Sequence, residues 1–365
     1  MKPVTVYDIA REANVSVATV SRVLNNTAPV KASTRERIMG LIQKHQFQPN
    51  ALARSLIKKE TGMIGIILPD ITNPFFPEVL AGLEQEARNN GYTFFLCDTG
   101  SSNQDIKAQY QRESQYLNIL MEKQVDGIIM IGGRIDLARC SKEMAKEVAE
   151  VNKRLPVVLI NGNLPGAKFH RVIIDEVAGG VLATEHLIGL GHTDIAFIGG
   201  YKQMSNTVQR LEGYTKAMQQ AGLQIREDWI ITGGFTVEAG KVFMNQLLGG
   251  ETENRPTAIV CANDLSAIGA IKAAVKHGLR VPEDMSIIGF DDIPLAANVI
   301  PELTTISLKC LELGRTAAHI LHQLIGKNGI DTLTVLQPEL VVRESTAPLR
   351  VGISISAAGN VSSQG

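Results

Sequence analysis

The stretch VTVYDIAREANVSVATVSRVLNN, residues 4–26, decides how the chain is organised and predicts two short helices joined by a tight turn. Thr5 and Asp8 have the spacing of a capping box, which starts a helix near Val6. Asn14 tolerates the left-handed backbone that a tight turn needs. Ser16 can cap a second helix.

The second helix has an apolar face and an outward face. Helical spacing turns Val20, Val23 and Leu24 inward. The outward positions are Val17, Ala18, Ser21 and Arg22. Such a pair of helices is typical of a helix-turn-helix that reads the major groove of DNA. A helical hairpin packed on a larger domain fits the same pattern, so the pattern alone leaves both interpretations open.

The charge of the chain is unevenly distributed. The net charge at pH 7 is −1, yet residues 1–60 contain ten Lys and Arg against four Asp and Glu, a balance of +6 that leaves −7 for the rest. A solvated face is one explanation. A basic segment that coincides with a helical motif and with Ser and Thr hydroxyls favours a surface that binds DNA phosphates.

The amino-terminal stretch resembles the lactose/galactose repressor family, above all in VSVATVSRV at residues 15–23. The resemblance continues through Pro49, Asn50, Ala51 and ARSL at 53–56 and, more loosely, over nearly the whole chain. It implies a sequence-specific DNA-binding regulator, most often a repressor of carbohydrate-utilisation genes, that binds a palindromic operator as a homodimer. The DNA contacts that it implies are Thr5, Tyr7, Ser16, Val17, Ala18, Thr19, Ser21, Arg22, Asn25, Asn50, Ala53 and Leu56.

A third helix and a hinge are predicted after the first two helices. Ser33 with Glu36 makes another capping box, and residues 34–45 have helical periodicity. Pro49 then breaks the chain, and residues 50–59 have one or two turns of helix potential, too few to be stable alone in water. The resemblance implies that this hinge folds on DNA, where Leu56 wedges into the minor groove. Packing of Leu56 on the core is the alternative.

From Gly62 onwards the sequence predicts a repeated strand–helix pattern. Short apolar runs, rich in β-branched residues, recur as MIGIILP (63–69), YTFFLCD (92–98), DGIIMIGG (126–133), PVVLING (156–162), RVIIDE (171–176), DIAFIGG (194–200), WIITGG (229–234), TAIVCAND (257–264) and MSIIGFDD (285–292). Most are followed by amphipathic segments, which is typical of buried parallel strands in an α/β fold. Helices are marked by Pro77 in a first position and Gly91 beyond the end, by 176–190 before Gly191, and by 265–277 before Gly278.

The predicted fold is a small all-α helix-turn-helix head joined by a hinge helix to an α/β two-lobed core with parallel sheets. The resemblance implies a core like the periplasmic sugar-binding proteins, with the lobes crossing near Asn161 and Asp291. The expected domains are 1–48 for the head, 49–61 for the hinge, 62–349 for the core and 350–365 for a disordered tail. In the family resembled, members that form tetramers do so through leucine heptads at this end. None occur here, so the resemblance implies a dimer.

Ligands of such sheets bind at the carboxyl ends of the strands. Asp264 follows a predicted strand and either caps a helix or accepts hydroxyls from a polyol. Arg210 is either a surface ion pair or, by the resemblance, a residue that grips the effector. The resemblance also gives Phe75 and Phe235 as stacking platforms, where core packing is the alternative, and Asn161 and Asp291 as weaker candidates that could simply brace the crossovers.

The effector is expected to be a sugar, a sugar acid or a related metabolite. Purine-binding members of the family have an arginine six residues before the position of Arg210, and this chain has Met204 there. That difference argues against a nucleobase.

Other classes of protein find little support. The chain lacks GxGxxG, GxxxxGK[ST], HExxH and GxSxG, so an enzyme is not expected. Cys97, Cys140, Cys261 and Cys310 are far apart, and the His186–His192 and His319–His322 pairs lack a third ligand, so neither a metal nor another cofactor is expected. With no signal peptide and no long apolar run, we expect a soluble cytoplasmic protein with no membrane partner. A cytoplasmic solute-binding protein without regulatory DNA binding is the competing hypothesis.

Overall fold

The computed structural model describes residues 4–25, 28–47, 60–100, 106–249 and 255–349. The chain divides into two compact units, Met1–Gly62 and Met63–Gly365, which we call the head and the core. The predicted hinge contacts Asn50, Ala53 and Leu56 and the tail at 350–365 lie outside the described residues.

The head folds around the predicted helix-turn-helix. Its helices are α1 (Val6–Glu12), α2 (Val17–Asn25) and α3 (Ala32–Lys44). The capping box at α1 is confirmed, because the Asp8 N–H donates to Thr5 Oγ1 at 3.4 Å and the Thr5 N–H donates to Asp8 Oδ2 at 3.0 Å. Asn14 has the predicted left-handed backbone, with φ of 52°. The Thr19 N–H donates to Ser16 Oγ at 3.2 Å, so Ser16 starts α2 as predicted.

The predicted capping box of Ser33 and Glu36 is wrong. The Lys31 carbonyl already accepts hydrogen bonds from the N–H groups of Thr34 and Arg35, both at 3.0 Å. The helix therefore begins at Ala32, and Ser33 lies inside its first turn rather than in front of it.

The core is built on two parallel sheets. Its strands are β1 (Met63–Leu68), β2 (Thr93–Asp98), β3 (Gly127–Ile131), β4 (Val157–Ile160), β5 (His170–Ile174), β6 (Ile195–Ile198), β7 (Ile230–Ile231), β8 (Ala258–Cys261), β9 (Ser286–Ile288), β10 (Thr305–Ser307), β11 (Leu333–Leu336) and β12 (Glu339–Val341). One parallel sheet has the order β11-β5-β4-β3-β1-β2 and the other β7-β6-β8-β9. Strands β10 and β12 form an antiparallel pair. We call the units around the two parallel sheets lobe 1 and lobe 2.

Helices cover the sheets, as the α/β pattern predicts. They are α4 (Phe75–Asn89), α5 (Ile106–Glu122), α6 (Lys142–Asn152), α7 (Glu176–Gly189), α8 (Ser205–Gln220), α9 (Val237–Leu248), α10 (Asp264–Lys276) and α11 (Cys310–Ile325). Each of the nine apolar runs overlaps a strand, and eight of them contain one whole. The run at 92–98 is less buried than predicted, because β2 is an edge strand on which Phe95 is 42% exposed.

The start of α4 differs from the prediction. The helix begins at Phe75, so Pro77 is its third residue rather than its first. Proline is tolerated there because the first N–H groups of a helix have no intrahelical partner. The predicted helix ends at Gly91, Gly191 and Gly278 are confirmed by φ values of 77°, 89° and 78°.

Within the described residues of the core, the chain crosses between the lobes at three places. It returns from β4 to the same sheet as β5, so the first crossing follows Ile174 and not Asn161, where it was predicted. The second crossing lies after Asp291, where the chain passes through β10 to α11, and α11 packs against α4 of lobe 1. A third crossing, which sequence analysis missed, runs from β11 to β12.

Three pairs of helices cross at reciprocal glycines. A Cβ on Gly180 of α7 would lie 2.3 Å from the Arg210 carbonyl oxygen, and one on Gly213 of α8 would lie 2.3 Å from the Val177 carbonyl oxygen. The pairs α4–α11 and α9–α10 have the same arrangement at Gly82 with Gly314 and at Gly240 with Gly269. In each pair the two helix backbones are in contact at these glycines. This contact fixes the positions of the side chains on α8 and α10.

Among the residues that the structure describes, every helix is too short or too polar to span a lipid bilayer.

We expect Gly213→Ala to destabilise the core by about 1–3 kcal/mol, because the added methyl must push α7 and α8 apart. Chemical denaturation measures this change. Gly189→Ala is the matched control in the same helix pair, since a Cβ there meets no atom within 4 Å. It should leave stability unchanged or raise it slightly through helix propensity. Equal losses in the two variants would contradict the close crossing.

Candidate functional site

A cavity of about 230 Å³ lies between the lobes, where the carboxyl ends of the two parallel sheets face each other. It is lined by Pro69, Asp70, Thr72, Asn73, Phe75, Phe76, Gln109, Tyr110, Ile131, Gly132, Gly133, Asp136, Asn161, Tyr201, Gln203, Met204, Asn206, Arg210, Phe235, Thr236, Asn263, Leu265 and Asp291. The structure thus brings together Phe75, Asn161, Arg210, Phe235 and Asp291, five of the six residues that sequence analysis selected for the effector.

Asp264 is the exception, because it does not line the cavity. It is the first residue of α10 and is fully buried. Its carboxylate accepts hydrogen bonds from the Ile293 N–H at 2.8 Å and from the Thr305 hydroxyl at 2.5 Å. Burial raises the pKa of Asp264 well above its usual range, and the nearby Asp291 carboxylate adds to this. Asp264 therefore joins α10 to the segment that follows β9.

Asn263, the residue before Asp264, caps α10 and lines the cavity. Its Oδ1 accepts from the Ser266 N–H at 3.1 Å. Its Nδ2 donates to the Phe235 carbonyl at 2.9 Å, which holds the loop that carries Phe235. From the sequence, only the neighbouring Asp264 was considered as a helix cap or an effector-binding residue.

Arg210 is the centre of a buried network. Its guanidinium donates from Nε to Glu176 Oε2 at 2.7 Å, from Nη2 to Glu176 Oε1 at 3.2 Å, and from Nη1 to Asp291 Oδ1 at 3.2 Å and to the Ala262 carbonyl. It also lies over the Phe290 ring, 4.0 Å from the ring centre. These bonds engage four of its five N–H groups. Arg210 lines the cavity with its charge already balanced by two carboxylates.

Asn161 and Asp291 brace two of the crossings and also line the cavity. Asn161 has a positive φ of 56° and accepts from the Ile174 N–H at 2.9 Å while donating to Glu176 Oε1 at 2.6 Å. Asp291 has a φ of 109°, and its N–H donates to the Ile306 carbonyl at 2.9 Å. Asn tolerates the left-handed backbone, whereas the φ of Asp291 is strained and persists only where the surroundings fix it. Together with Glu176 and Arg210, these residues join the first crossing to the second.

Aromatic rings form walls on both lobes. Phe75 of lobe 1 meets Phe76 edge to face, with ring centres 5.2 Å apart. Phe235 of lobe 2 meets Tyr201 in the same way at 5.6 Å. Aromatic walls with a few placed polar groups are typical of a small-molecule site.

Sequence analysis missed several polar residues of the cavity. Asp70 and Asn263 each follow their strand, β1 or β8, after one intervening residue, so their place after an apolar run was a usable signal. Asp136 lies in a short 3-10 turn after β3 and had no such signal. Burial raises the pKa of Asp136 to about 7, and the nearby Glu176 carboxylate adds to this, while the hydrogen bonds from Ser205 and Asn206 act in the opposite direction.

The predicted DNA-binding residues of the head lie on its surface to different degrees. Thr5, Tyr7, Ser16, Ala18 and Arg22 are exposed, with Tyr7 70% exposed. Val17, Thr19 and Ser21 are half-buried. Val20 and Val23 are buried against Ile9, Ala10, Ala13 and Ile38, as predicted. Of the positions predicted to face outward, Ala18 and Arg22 are exposed, whereas Val17 packs against the same apolar cluster.

Two family descriptions match the chain. The model of bacterial regulatory proteins of the lacI family matches residues 5–50. The periplasmic binding protein-like domain matches residues 184–346.

Individual proteins are similar over almost the full length. The HTH-type transcriptional regulator DegA of Bacillus subtilis (strain 168) is 39% identical, over 94% of this chain and 98% of its own. The HTH-type transcriptional repressor PurR of Vibrio campbellii is 35% identical, over 94% of this chain and 99% of its own. Among solved structures, the lac repressor dimer bound to operator and the anti-inducer ONPF is 28% identical, with a TM-score of 0.82 over 95% of this chain and 100% of that one.

We expect Arg210→Met to destabilise the core by about 3–5 kcal/mol at neutral pH, since it leaves Glu176 and Asp291 buried without their cation. Denaturant titration measures the loss. Arg280→Met is the control, because Arg280 forms an ion pair with Asp284 while remaining 64% exposed. Its unfolding midpoint should stay near that of the wild type. A wild-type midpoint for Arg210→Met would show that the network contributes nothing to stability.

Proposed function

Because this chain belongs to the lacI family of bacterial regulatory proteins and is a DNA-binding transcription repressor controlled by an effector, we propose that the effector is a neutral polyhydroxy compound, such as a sugar, bound in the cavity between the lobes. The regulated genes would be those of carbohydrate utilisation. Family membership sets aside the enzyme and solute-binding hypotheses. It also confirms the expected cytoplasmic location, where bacterial operator DNA is found.

The charge of the cavity carries this proposal. Asp70, Asp136 and Asp291 line it, whereas the cation Arg210 is already held by Glu176 and Asp291. Burial raises the pKa of Asp136 and of Asp291 to about 7, so these two carboxyls are partly ionised at neutral pH. An ionised carboxylate about 5 Å from an anionic ligand repels it by roughly 3 kcal/mol at an effective dielectric constant of about 20. A phosphate or carboxylate would meet this repulsion, and among the described residues that line the cavity the one cation is Arg210, which is already paired. We therefore favour a neutral sugar over the sugar acid that sequence analysis also allowed.

The remaining lining fits a sugar. Carboxylate and amide oxygens accept hydrogen bonds from hydroxyls, and the rings of Phe75 and Phe235 offer apolar faces to the C–H side of a pyranose. Met204 also lines the cavity, at the position where purine-binding relatives have an arginine. The similarity to PurR does not supply that arginine, so we do not propose a nucleobase.

DNA recognition is assigned to α2. We propose that Val17, Ala18 and Arg22 meet base edges and that Thr5, Tyr7, Ser16, Thr19, Ser21 and Asn25 support this contact or bind phosphates. Asn50, Ala53 and Leu56 remain proposed hinge contacts that rest on the resemblance of their sequence. Two copies of the chain would place their α2 helices in successive major grooves of a palindromic operator.

The binding of the effector would then be coupled through the core to the binding of the operator. If a ligand lowers operator affinity, the operator-bound form must bind that ligand more weakly by the same factor. The core begins at Met63, directly after the head, so a change in the geometry of lobe 1 would reach the hinge first.

We expect Arg22→Ala to relax sequence discrimination by about 1–3 kcal/mol at one operator position, because arginine reads guanine with two hydrogen bonds. Titration of the selected operator and of a scrambled duplex measures this change. Arg11→Ala is the control, since it removes an exposed charge of the same sign from α1. It should affect both duplexes alike. An equal loss on both duplexes for Arg22→Ala would refute the base contact.

We expect neutral sugars, rather than their charged forms, to raise the melting temperature of the wild type, since a ligand of the folded state stabilises it by mass action. A thermal-shift screen would compare each hexose and pentose with its acid and its phosphate. Phe235→Ala should abolish any shift produced at the cavity. A larger shift with the acid or phosphate of the same sugar would overturn the proposed effector class.

A further inference from the structure

Asp136 of lobe 1 makes a contact across the cleft. Its carboxylate accepts hydrogen bonds from the Ser205 hydroxyl and, at 3.3 Å, from the Asn206 N–H, both in the first turn of α8 in lobe 2. Asp136 is only 5% exposed. The contact is therefore a closed, largely dehydrated junction between the lobes.

The backbone on either side of Asp136 takes part in the same junction. The Ala138 N–H donates to the Gln203 carbonyl at 2.9 Å. Leu137 and Met204 form an antiparallel bridge. We call the contact of 136–138 with 203–206 the seam. It joins the lobes without a covalent link, unlike the three crossings.

The seam completes the start of α8. Met204 occupies the N-cap position and supplies no side-chain hydrogen bond to the helix. The N–H of Asn206 is among the first-turn donors that have no partner within a helix. Asp136 accepts from it across the cleft, so the Asn206 N–H has this partner only while the lobes are closed there.

Lobe 1 presents Asp136 from a rigid base. Arg134, two residues earlier, is 2% exposed and donates to Glu113 at 2.6 Å, to Glu147 at 2.8 Å, to Ser114 at 2.9 Å and to the Tyr110 carbonyl at 2.8 Å. These hydrogen bonds hold the Arg134 side chain, and with it the turn that carries Asp136, in one position. Opening the seam therefore requires movement of a lobe rather than of the Asp136 loop alone.

The seam is also part of the cavity wall. Asp136, Gln203, Met204 and Asn206 all line the cavity. Arg210, which joins two crossings, lies further along the same helix. A molecule in the cavity therefore touches the groups that hold the lobes together.

We propose that Asp136 is the positioning residue that couples occupancy of the cavity to closure of the lobes, acting through Ser205 and Asn206. An effector that leaves these bonds intact stabilises the closed core, and one that takes the Asp136 carboxylate for its own hydroxyl opens the seam. The link from closure to operator affinity rests on the proposed function.

The test compares backbone hydrogen exchange and operator affinity in the full-length protein. In Asp136→Ala, exchange at the Ala138 and Asn206 amides should rise about tenfold or more, because the seam opens locally. Operator affinity should change about fivefold or more in either direction. Asp136→Asn should restore both readouts, since its amide oxygen can accept the same two bonds. Glu150→Gln, at an exposed acid of α6 paired with Lys153, should match the wild type.

Ser205→Ala tests the seam from lobe 2 and leaves lobe 1 unaltered, so the result does not depend on the folding of Asp136→Ala. Wild-type exchange at Ala138 and Asn206 in both alanine variants would overturn the proposal. If the alanine variants show increased exchange but bind the operator with the affinity of the wild type, the coupling between the seam and operator affinity is overturned. The proposed function survives that result as long as the wild-type protein binds the operator. If the wild type binds no operator, the proposed function fails, and exchange still decides whether Asp136 holds the seam.

Discussion

The bonds of Arg210 to Glu176 and Asp291 are the interaction on which the core depends. A buried guanidinium is stable only where carboxylates balance its charge, and here each carboxylate comes from a different crossing between the lobes. Asn161 extends the network by bonding both Glu176 and the N–H of Ile174. The cavity wall and two of the connections between the lobes thus share one set of charges, so a ligand in the cavity acts directly on the elements about which the lobes could move.

Close helix crossings hold this network in register. Gly180 and Gly213 let α7 and α8 touch backbone to backbone, and these two helices carry Glu176 and Arg210. If α7 and α8 were further apart, Arg210 could not reach Glu176 to form the ion pair. The crossing of α9 and α10 has the same glycine arrangement, and α10 starts beside Asn263 in the cavity wall. Packing at small residues therefore sets the positions of polar groups that lie a turn or more away.

Much of the fold could be predicted from the sequence because it follows local rules. The turn at Asn14, the cap at Thr5 and the nine apolar runs each depend on a few neighbouring residues, and the structure confirms them. The start of α3 was wrong because the local signal favours Ser33, whose side chain is a good N-cap, whereas the helix begins after Lys31, which provides no side-chain cap. The third crossing was missed because β11 joins its sheet through pairing with β5, far away in sequence.

The cavity was only partly predictable for the same reason. Position after a strand selected the right loops, yet one residue of helical rotation decided that Asn263 faces the cavity while Asp264 faces Thr305. Asp136 had no signal because its partners, Ser205 and Asn206, belong to the other lobe.

The role of the buried network is tested most directly by a double-mutant cycle on the free energy of unfolding with Glu176→Gln and Asp291→Asn. Since both carboxylates hold one cation, the double variant should lose about 0.5 kcal/mol or more beyond the sum of the single losses, whereas strictly additive losses would contradict a network that joins the two crossings.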